Sequence, residues 1–451
     1  MRGLILATNV KDYITEIITN DQICVDLYDK YNVKRGLRNA DGSGVLVGLT
    51  RVGEVHGYII NEEEKIAIDG KLFYRGIDIE EIIAAAAKEK RFAFEETAYL
   101  LLFGELPTKE RLEGFTAFLG ENRKLPRYFR KDNIMSSPSR NIMNHLARSV
   151  LALYSYDDNP EDHSPENVLR QCIELIACLP TIVAYSYFAQ KYYFDNQSLV
   201  IHRPIAELST AENFLSLIRR DQKFTRLEAE ILDLLLVLHA EHGGGNNSTF
   251  AVHTVSSTDT DTYSAIAAGI GSLKGYKHGG ANVKVISMME NIKQNVKNWE
   301  DETEVEAYIE KILRAQAFDK AGLVYGQGHA VYTKSDPRAI LLRDKATILA
   351  SHKGFTDEFN LYRRIETRMP AVFKRVKKSD KDICTNVDFY SGFVYKMLDI
   401  PPELYTPLFA VSRVVGWCAH RLEEIVSGGR IIRPAYKCVH KHKAYTALSE
   451  R

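Results

Sequence analysis

Much of what usually announces a protein's chemistry is missing from this chain. Its six cysteines, Cys24, Cys172, Cys178, Cys384, Cys418 and Cys438, form no CxxC pair and no zinc-type spacing. In 451 residues that usage argues against a disulfide scaffold and for reduced thiols in a cytosolic protein. Net charge is missing too: 59 basic residues balance 59 acidic ones. No electrostatic footprint for nucleic acid is present, and any anion site must be local. No apolar run stands out as long enough to span a bilayer. The opening MRGLILATNVKDY is a poor signal or transit peptide, because acids follow at Asp12 and Glu16. Repeats of solenoid period are absent, and strand signals are scarce. The expectation is a mostly α, cytoplasmic globular protein, long enough for a large core and two domains.

What is present concentrates between Gly322 and Ala339, GLVYGQGHAVYTKSDPRA. Gly326 and Gly328 bracket Gln327 just ahead of His329, and glycine lets backbone turn sharply and approach a ligand closely. A histidine on such a loop can be presented to a substrate. Asp336-Pro337-Arg338 reads as a rigid turn, from which Arg338 emerges with a planar fork suited to carboxylate or phosphate. As a bare Gly-x-Gly-His this would be a surface loop with a chance histidine; the Asp-Pro-Arg corner tips the reading towards a site.

Elsewhere the chain reads mainly as helices. Lys65 to Ile68 and Lys71 to Tyr74, joined by Asp69-Gly70, predict a β-hairpin. Asp78 is placed to cap a helix with Glu81 reaching back, and Gly104 to end the helix closing at Phe103. YDDNPEDHSPEN is a polar loop, and Pro180 should kink or restart a helix. From Leu227 to His242 the periodicity predicts a helix carrying Leu227, Ile231, Leu234, Leu235, Leu238 and His242 on one face. A glycine-rich polar turn follows, so His242 is either a satisfied core histidine or part of a site. His239 and His242 lie three apart, without the HExxH pattern of a zinc hydrolase. His278 precedes two glycines and a helix start, where the dipole favours a neutral imidazole able to hydrogen-bond a developing oxyanion. Asp388 sits among apolar neighbours in NVDFYSG, as a helix cap or as a base whose pKa burial would raise.

HAEHGGGNNSTF, LKGYKHGGAN, GQGHAVYTKSDPR, NVDFYSG, the VSR of AVSRVVGW and the IRP of IIRPAY resemble, in order, the motif series of citrate synthase. KLFYRGIDIEE and AENFL match its earlier landmarks, so the resemblance covers roughly residues 65–437. It implies a helical two-domain subunit: a large domain from residues 1–279 and 399–451, and a small inserted domain at 280–398. It also implies a homodimer that condenses acetyl-CoA with oxaloacetate and water, giving citrate and CoA in the tricarboxylic acid cycle, without metal or cofactor. By the same resemblance Asp388 is the base, His278 hydrogen-bonds the thioester oxygen, and His329 polarises the oxaloacetate carbonyl. His242, Arg338, Arg413 and Arg433 take the oxaloacetate carboxylates, Arg433 from the other subunit. Gly326, Gly328 and Lys334 face CoA. Two positions depart from the family: Gly243 where Glu is common, and His253 where many members carry Arg. Rival readings are 2-methylcitrate synthase using propionyl-CoA, a zinc hydrolase, and a non-catalytic helical scaffold.

Overall fold

Many helices in this protein begin where a short polar side chain takes an otherwise unpaired amide, and several end on a left-handed glycine. Thr225 and Ser209 each form a capping box, with Glu228 and Glu212 respectively. Ser164 and Asp336 cap helices whose first residue is proline. Gly104, Gly354 and Gly428 close helices at φ of 83°, 74° and 63°.

The structure, a computed structural model, describes residues 18, 21–39, 42–61 and 64–450. The proposed reading of the extreme N-terminus falls outside them. Two units are distinguished, Met1–Leu49 and Thr50–Arg451. In the first, a short helix α1 (Asp26–Lys30) precedes a bridge between Arg38 and Gly44. The second opens with the antiparallel strands β1 (Gly53–Asn61), β2 (Glu64–Tyr74) and β3 (Ile77–Asp78). Helices follow in order: α2 (Ile79–Glu89), α3 (Phe94–Phe103), α4 (Lys109–Glu121), α5 (Ile142–Leu153), α6 (Pro165–Phe194), α7 (Thr210–Ile218) and α8 (Arg226–His239). Next come α9 (Asn247–Ser256), α10 (Thr262–Leu273), α11 (Ala281–Asn295), α12 (Glu302–Leu313), α13 (Pro337–Lys353), α14 (Thr356–Lys377), α15 (Val387–Met397) and α16 (Tyr405–Ser427). Helix α16 is central, packing on α3, α6, α8, α9 and α10 around the wholly buried Trp417. A second group joins α11 to α15, α12 to α14, and α13 to both α14 and α15. Helix α13 also packs on α8 and β2, linking the group to the rest.

Three expectations change, and others are narrowed. The hairpin does not turn at Asp69-Gly70: both residues lie inside β2, and the register closes at Asn61↔Glu64. Gly70 serves close approach instead, since a Cβ there would collide with the Ser335 carbonyl and lie 2.6 Å from Tyr332 Cδ1. Gly57, at the bulge in β1, likewise leaves room for the Val331 carbonyl. Helix α6 runs through Pro180 without restarting, which leaves a kink as the form the proline's effect would take. By length and composition α6 could cross a membrane, contrary to the sequence reading, but 89% of its apolar window is buried, which marks a core helix. Finally, α8 stops at His239, not His242; Asp78 caps α2 as expected, accepting from the Glu80 amide (2.9 Å).

Candidate active site

The loop 322–336 is held by the three residues ahead of α15. Gly328 N donates to Cys384 O (2.7 Å), Asn386 N to Gly326 O (2.9 Å), and Asn386 Nδ2 to Gly328 O (2.8 Å). Asn386 is also the N-cap of α15, accepting from Asp388 N at 3.0 Å. One asparagine therefore ties the backbone just before His329 to the helix turn carrying Asp388. Asp388 is not the cap but the second residue of the helix. Gly326 is left-handed (φ 79°), and any side chain there would press on Phe389, 2.8 Å from its Cβ.

His329 receives two backbone N–H groups on Nδ1, from Val331 and Tyr332, both at 3.1 Å. That nitrogen must carry a lone pair, so the neutral ring holds its proton on Nε2. The ring stacks on Tyr332 (4.7 Å, 28°) and meets His242 edge-on at 5.2 Å. His242 has left the helix yet is buried, with Nε2 unpartnered. Burial, with Arg338 and His329 nearby, holds it well below the ordinary histidine range and therefore neutral. His239 turns elsewhere: Nδ1 faces Leu235 O (2.8 Å) and the ring packs on Phe409.

The arginines differ in how they are engaged. Arg338 spends Nε and one terminal nitrogen on Asp336, at 3.0 and 2.7 Å, so that edge of the fork is held and only the other terminal nitrogen is left to meet a ligand. Asp336 is buried, caps α13, and also accepts from Val387 N (3.3 Å), locking α13 to α15. Arg413, on α16, is fully buried and bonds only through Nε, to His239 O at 2.6 Å. Both of its terminal nitrogens are buried without a partner. Burial pulls this guanidinium down to about 10. A charge in that state is costly unless an anion meets it.

Asp388 supplies the complementary oddity. Its Oδ1 is buried and unpartnered, and burial pushes the carboxyl up to about 6, Asp336 adding to the rise while Arg338 and Arg413 oppose it. His278 lies in the turn before α11 rather than in its first turn. Nε2 is 3.1 Å from Ser248 Oγ, which also receives Trp417 Nε1–H (3.2 Å) and lies 2.9 Å from Asn246 Oδ1. This anchorage leaves Nδ1 as the edge open to a ligand, carrying the proton in the tautomer where the Ser248 hydroxyl donates to Nε2 rather than to Asn246; burial brings the ring down to about 4, so it is neutral. Among the described residues, no group of three or more His, Cys, Asp or Glu is arranged to hold a metal.

The arrangement combines a buried carboxylate base, three neutral histidines and a dry guanidinium, which suits proton abstraction next to a carbonyl and capture of a carboxylate. A family model for the citrate synthase C-terminal domain matches residues 42–435. The chain belongs to the citrate synthase family. It is 35% identical to the citrate synthase of Synechocystis over 91% of this chain and 93% of that one. The 2-methylcitrate synthase of Shewanella oneidensis is 30% identical over 81% and 87% of the two chains. Citrate synthase of Thermoplasma acidophilum, solved as a ternary complex with carboxymethyl coenzyme A and oxaloacetate, superposes with a TM-score of 0.75. Identity to it is 26%, covering 93% of this chain and 99% of that one. This is an acyl-transferring enzyme family that forms citrate from acetyl-CoA and oxaloacetate.

Not every expected site residue joins the cluster. Arg433 lies beyond the end of α16 and is exposed, and Lys334 is exposed on the rim of its loop. A Cβ at Gly328 would meet nothing within 4 Å, consistent with a face open to a ligand. Sequence reasoning missed Asp336, Asn386, Ser248 and Trp417 as partners. Asp336 was visible as a potential cap before Pro337, whereas Ser248 and Trp417 are 169 residues apart and meet only through tertiary packing. Gly243, one of the two departures, has φ 80°, a backbone that a glutamate would strain to adopt.

Proposed function

We propose that this chain condenses acetyl-CoA with oxaloacetate and hydrolyses the resulting thioester, with the site residues in the roles their chemistry allows. Asp388 removes a proton from the thioester methyl, and neutral His278 donates a hydrogen bond to the enolate oxygen. The enolate carbon attacks the oxaloacetate carbonyl, whose oxygen takes the proton held on His329 Nε2. Water then cleaves the thioester to citrate and CoA. His242, Arg338, Arg413 and, from a second copy, Arg433 bind the oxaloacetate dianion. Gly326, Gly328 and Lys334 lie toward CoA. The carrying observation is that Asp388 Oδ1 and both Arg413 terminal nitrogens are buried without partners, in two groups near enough to influence each other's charge. The chemistry uses no metal and no cofactor beyond the CoA thioester.

In this reading the chain works as a cytoplasmic homodimer, and residues 280–398 form a small domain inserted between the two parts of a large one. Oxaloacetate draws the domains together because its arginines come from both, Arg338 from the small and Arg413 from the large. The second reading, 2-methylcitrate synthesis from propionyl-CoA, is supported by the Shewanella relative. One methylene is worth only ~1–3 kcal/mol of discrimination. The test is oxaloacetate-dependent thiol release with acetyl-CoA and propionyl-CoA, with and without EDTA. Acetyl-CoA should be the better donor and EDTA without effect; a propionyl preference would favour the second reading, and loss of activity with EDTA would revive metal chemistry.

A further inference from the structure

Behind the oxaloacetate residues lies a set of buried ionisable groups that the mechanism does not use. Glu241, the residue before His242, is wholly buried and meets the equally buried His420 of α16 at 3.1 Å. The fold is carved to hold this carboxylate. A Cβ on Gly416 would collide with Glu241 Oε2 and lie 2.5 Å from Ala240 O, and one on Gly53 would lie 2.7 Å from Glu241 Cγ. On the same face of α16, two turns earlier, Arg413 Nε holds His239 O. The segment 239–242 is thus tied to one helix at two points, and His242 follows the second directly.

The tie continues outward. His420 Nδ1 lies 3.1 Å from His253 Nε2, and His253 Nδ1 lies 3.5 Å from Glu424 Oε2. Two imidazole nitrogens in contact share one proton, so only one must carry it. With His420 cationic, its two N–H groups donate to Glu241 and to His253. His253 then stays neutral and keeps its own proton for Glu424. Charges alternate as minus, plus, zero, minus, and each of these ring nitrogens finds a partner.

We infer that Glu241, His420, His253 and Glu424 form a positioning clamp that sets His242 and Arg413 for oxaloacetate; this rests on the oxaloacetate reading above. Removing either charge of the Glu241–His420 pair strands the other in a dry slot. His420 is pushed up to about 9: burial alone would lower it, but Glu241 and then Glu423 more than offset that. Glu241 is held below the carboxylate range, His420 and Arg413 outweighing its burial, and burial and His420 pull His253 down. The other charged or titratable groups facing the pair are Glu423 on α16, 3.7 Å from His420 Nδ1, Arg413 on the same helix, and Tyr74 and Arg75 at the end of β2. A group with a raised folded pKa contributes fully below its ordinary value and loses that contribution as pH rises through the raised one. The clamp should therefore hold at neutral pH and release above about 9.

The experiment measures oxaloacetate-dependent thiol release from about pH 6.5 to 9.5 on wild type, His420→Gln, Glu241→Gln and the double variant. At neutral pH each single change should raise the oxaloacetate KM at least about tenfold with kcat changed far less, as misplacement of binding groups does. The double variant, with no stranded charge, should lie nearer wild type than either single one. The wild-type KM should climb above pH about 9, and the climb should vanish in His420→Gln. Single variants that lose thermal stability yet keep wild-type KM and pH dependence would overturn the inference. If the single variants do not fold, the wild-type profile decides, a flat KM to the alkaline end being the overturning result. Wild type that releases no thiol at all would overturn the activity reading and this inference with it. Failure of the clamp alone leaves wild-type turnover intact.

Discussion

Replacing Arg413 with leucine should weaken oxaloacetate binding and leave the ligand-free protein as stable as before, or more so. In the free protein Arg413 makes one bond, Nε to His239 O, while both terminal nitrogens are buried and unpartnered. Leucine removes that bond and leaves a carbonyl unpaired, costing about 1–3 kcal/mol. It also removes a buried, under-compensated charge, whose cost runs to about 3–5 kcal/mol. The balance is neutral to favourable. Oxaloacetate loses two charge-assisted hydrogen bonds of about 1.5–3 kcal/mol each, or a weakening of ~10²–10⁴-fold. Thermal unfolding with and without oxaloacetate separates the two effects. At a ligand concentration of ~100 Kd, wild type gains about 2.7 kcal/mol. A variant binding ~100-fold more weakly gains only about 0.4 kcal/mol at that concentration. A variant that is markedly less stable alone, yet stabilised by oxaloacetate as much as wild type, would refute the assignment of Arg413 to the ligand.

Gly326→Ala should slow thiol release more than Gly328→Ala. Both residues are left-handed, at φ 79° and 85°, and share a strain of ~1–2 kcal/mol, but only at 326 would a side chain strike Phe389. Equal rate losses would contradict the role given to the 326–389 contact. Mixing the inactive Asp388→Asn and Arg433→Ala proteins tests the inter-subunit arginine. Random assortment makes about half the dimers mixed, each with one intact site, so activity should return to about a quarter of wild type. With subunit exchange shown by native mass spectrometry, an inactive mixture would place Arg433 outside the partner's site.

Short-range physics was the part most open to reading. Gly104 ends its helix as expected, and Gly326 turns left-handed ahead of His329, because both depend on backbone conformation alone. The helical pattern through Leu227 was right about burial but ran three residues too far: Ala240, Glu241 and His242 stay buried after the helix stops at His239. Periodicity reports burial, not hydrogen bonding, so it could not mark that end. Asp69-Gly70 misled for a related reason: glycine serves both tight turns and close approach, and only the loop at Val331–Ser335 distinguishes them. In the site, the motif residues were legible one by one. Their engagement was not: the Asp336–Arg338 pair, the Ser248–Trp417–His278 cluster and the Glu241–His420 slot need contacts between segments far apart in the chain.

The role of Asp388 is tested most directly by the pH dependence of kcat/KM for acetyl-CoA, which reports ionisations of the free enzyme. Burial pushes the Asp388 carboxyl up to about 6, and the base acts only when ionised. The rate should therefore be level near neutrality and fall about tenfold per unit at pH values below 6. Asp388→Asn should keep oxaloacetate binding, lose ~10²–10⁴-fold in turnover and show no such limb. A profile that stays flat well below pH 6, or near-normal turnover in the asparagine variant, would contradict the account.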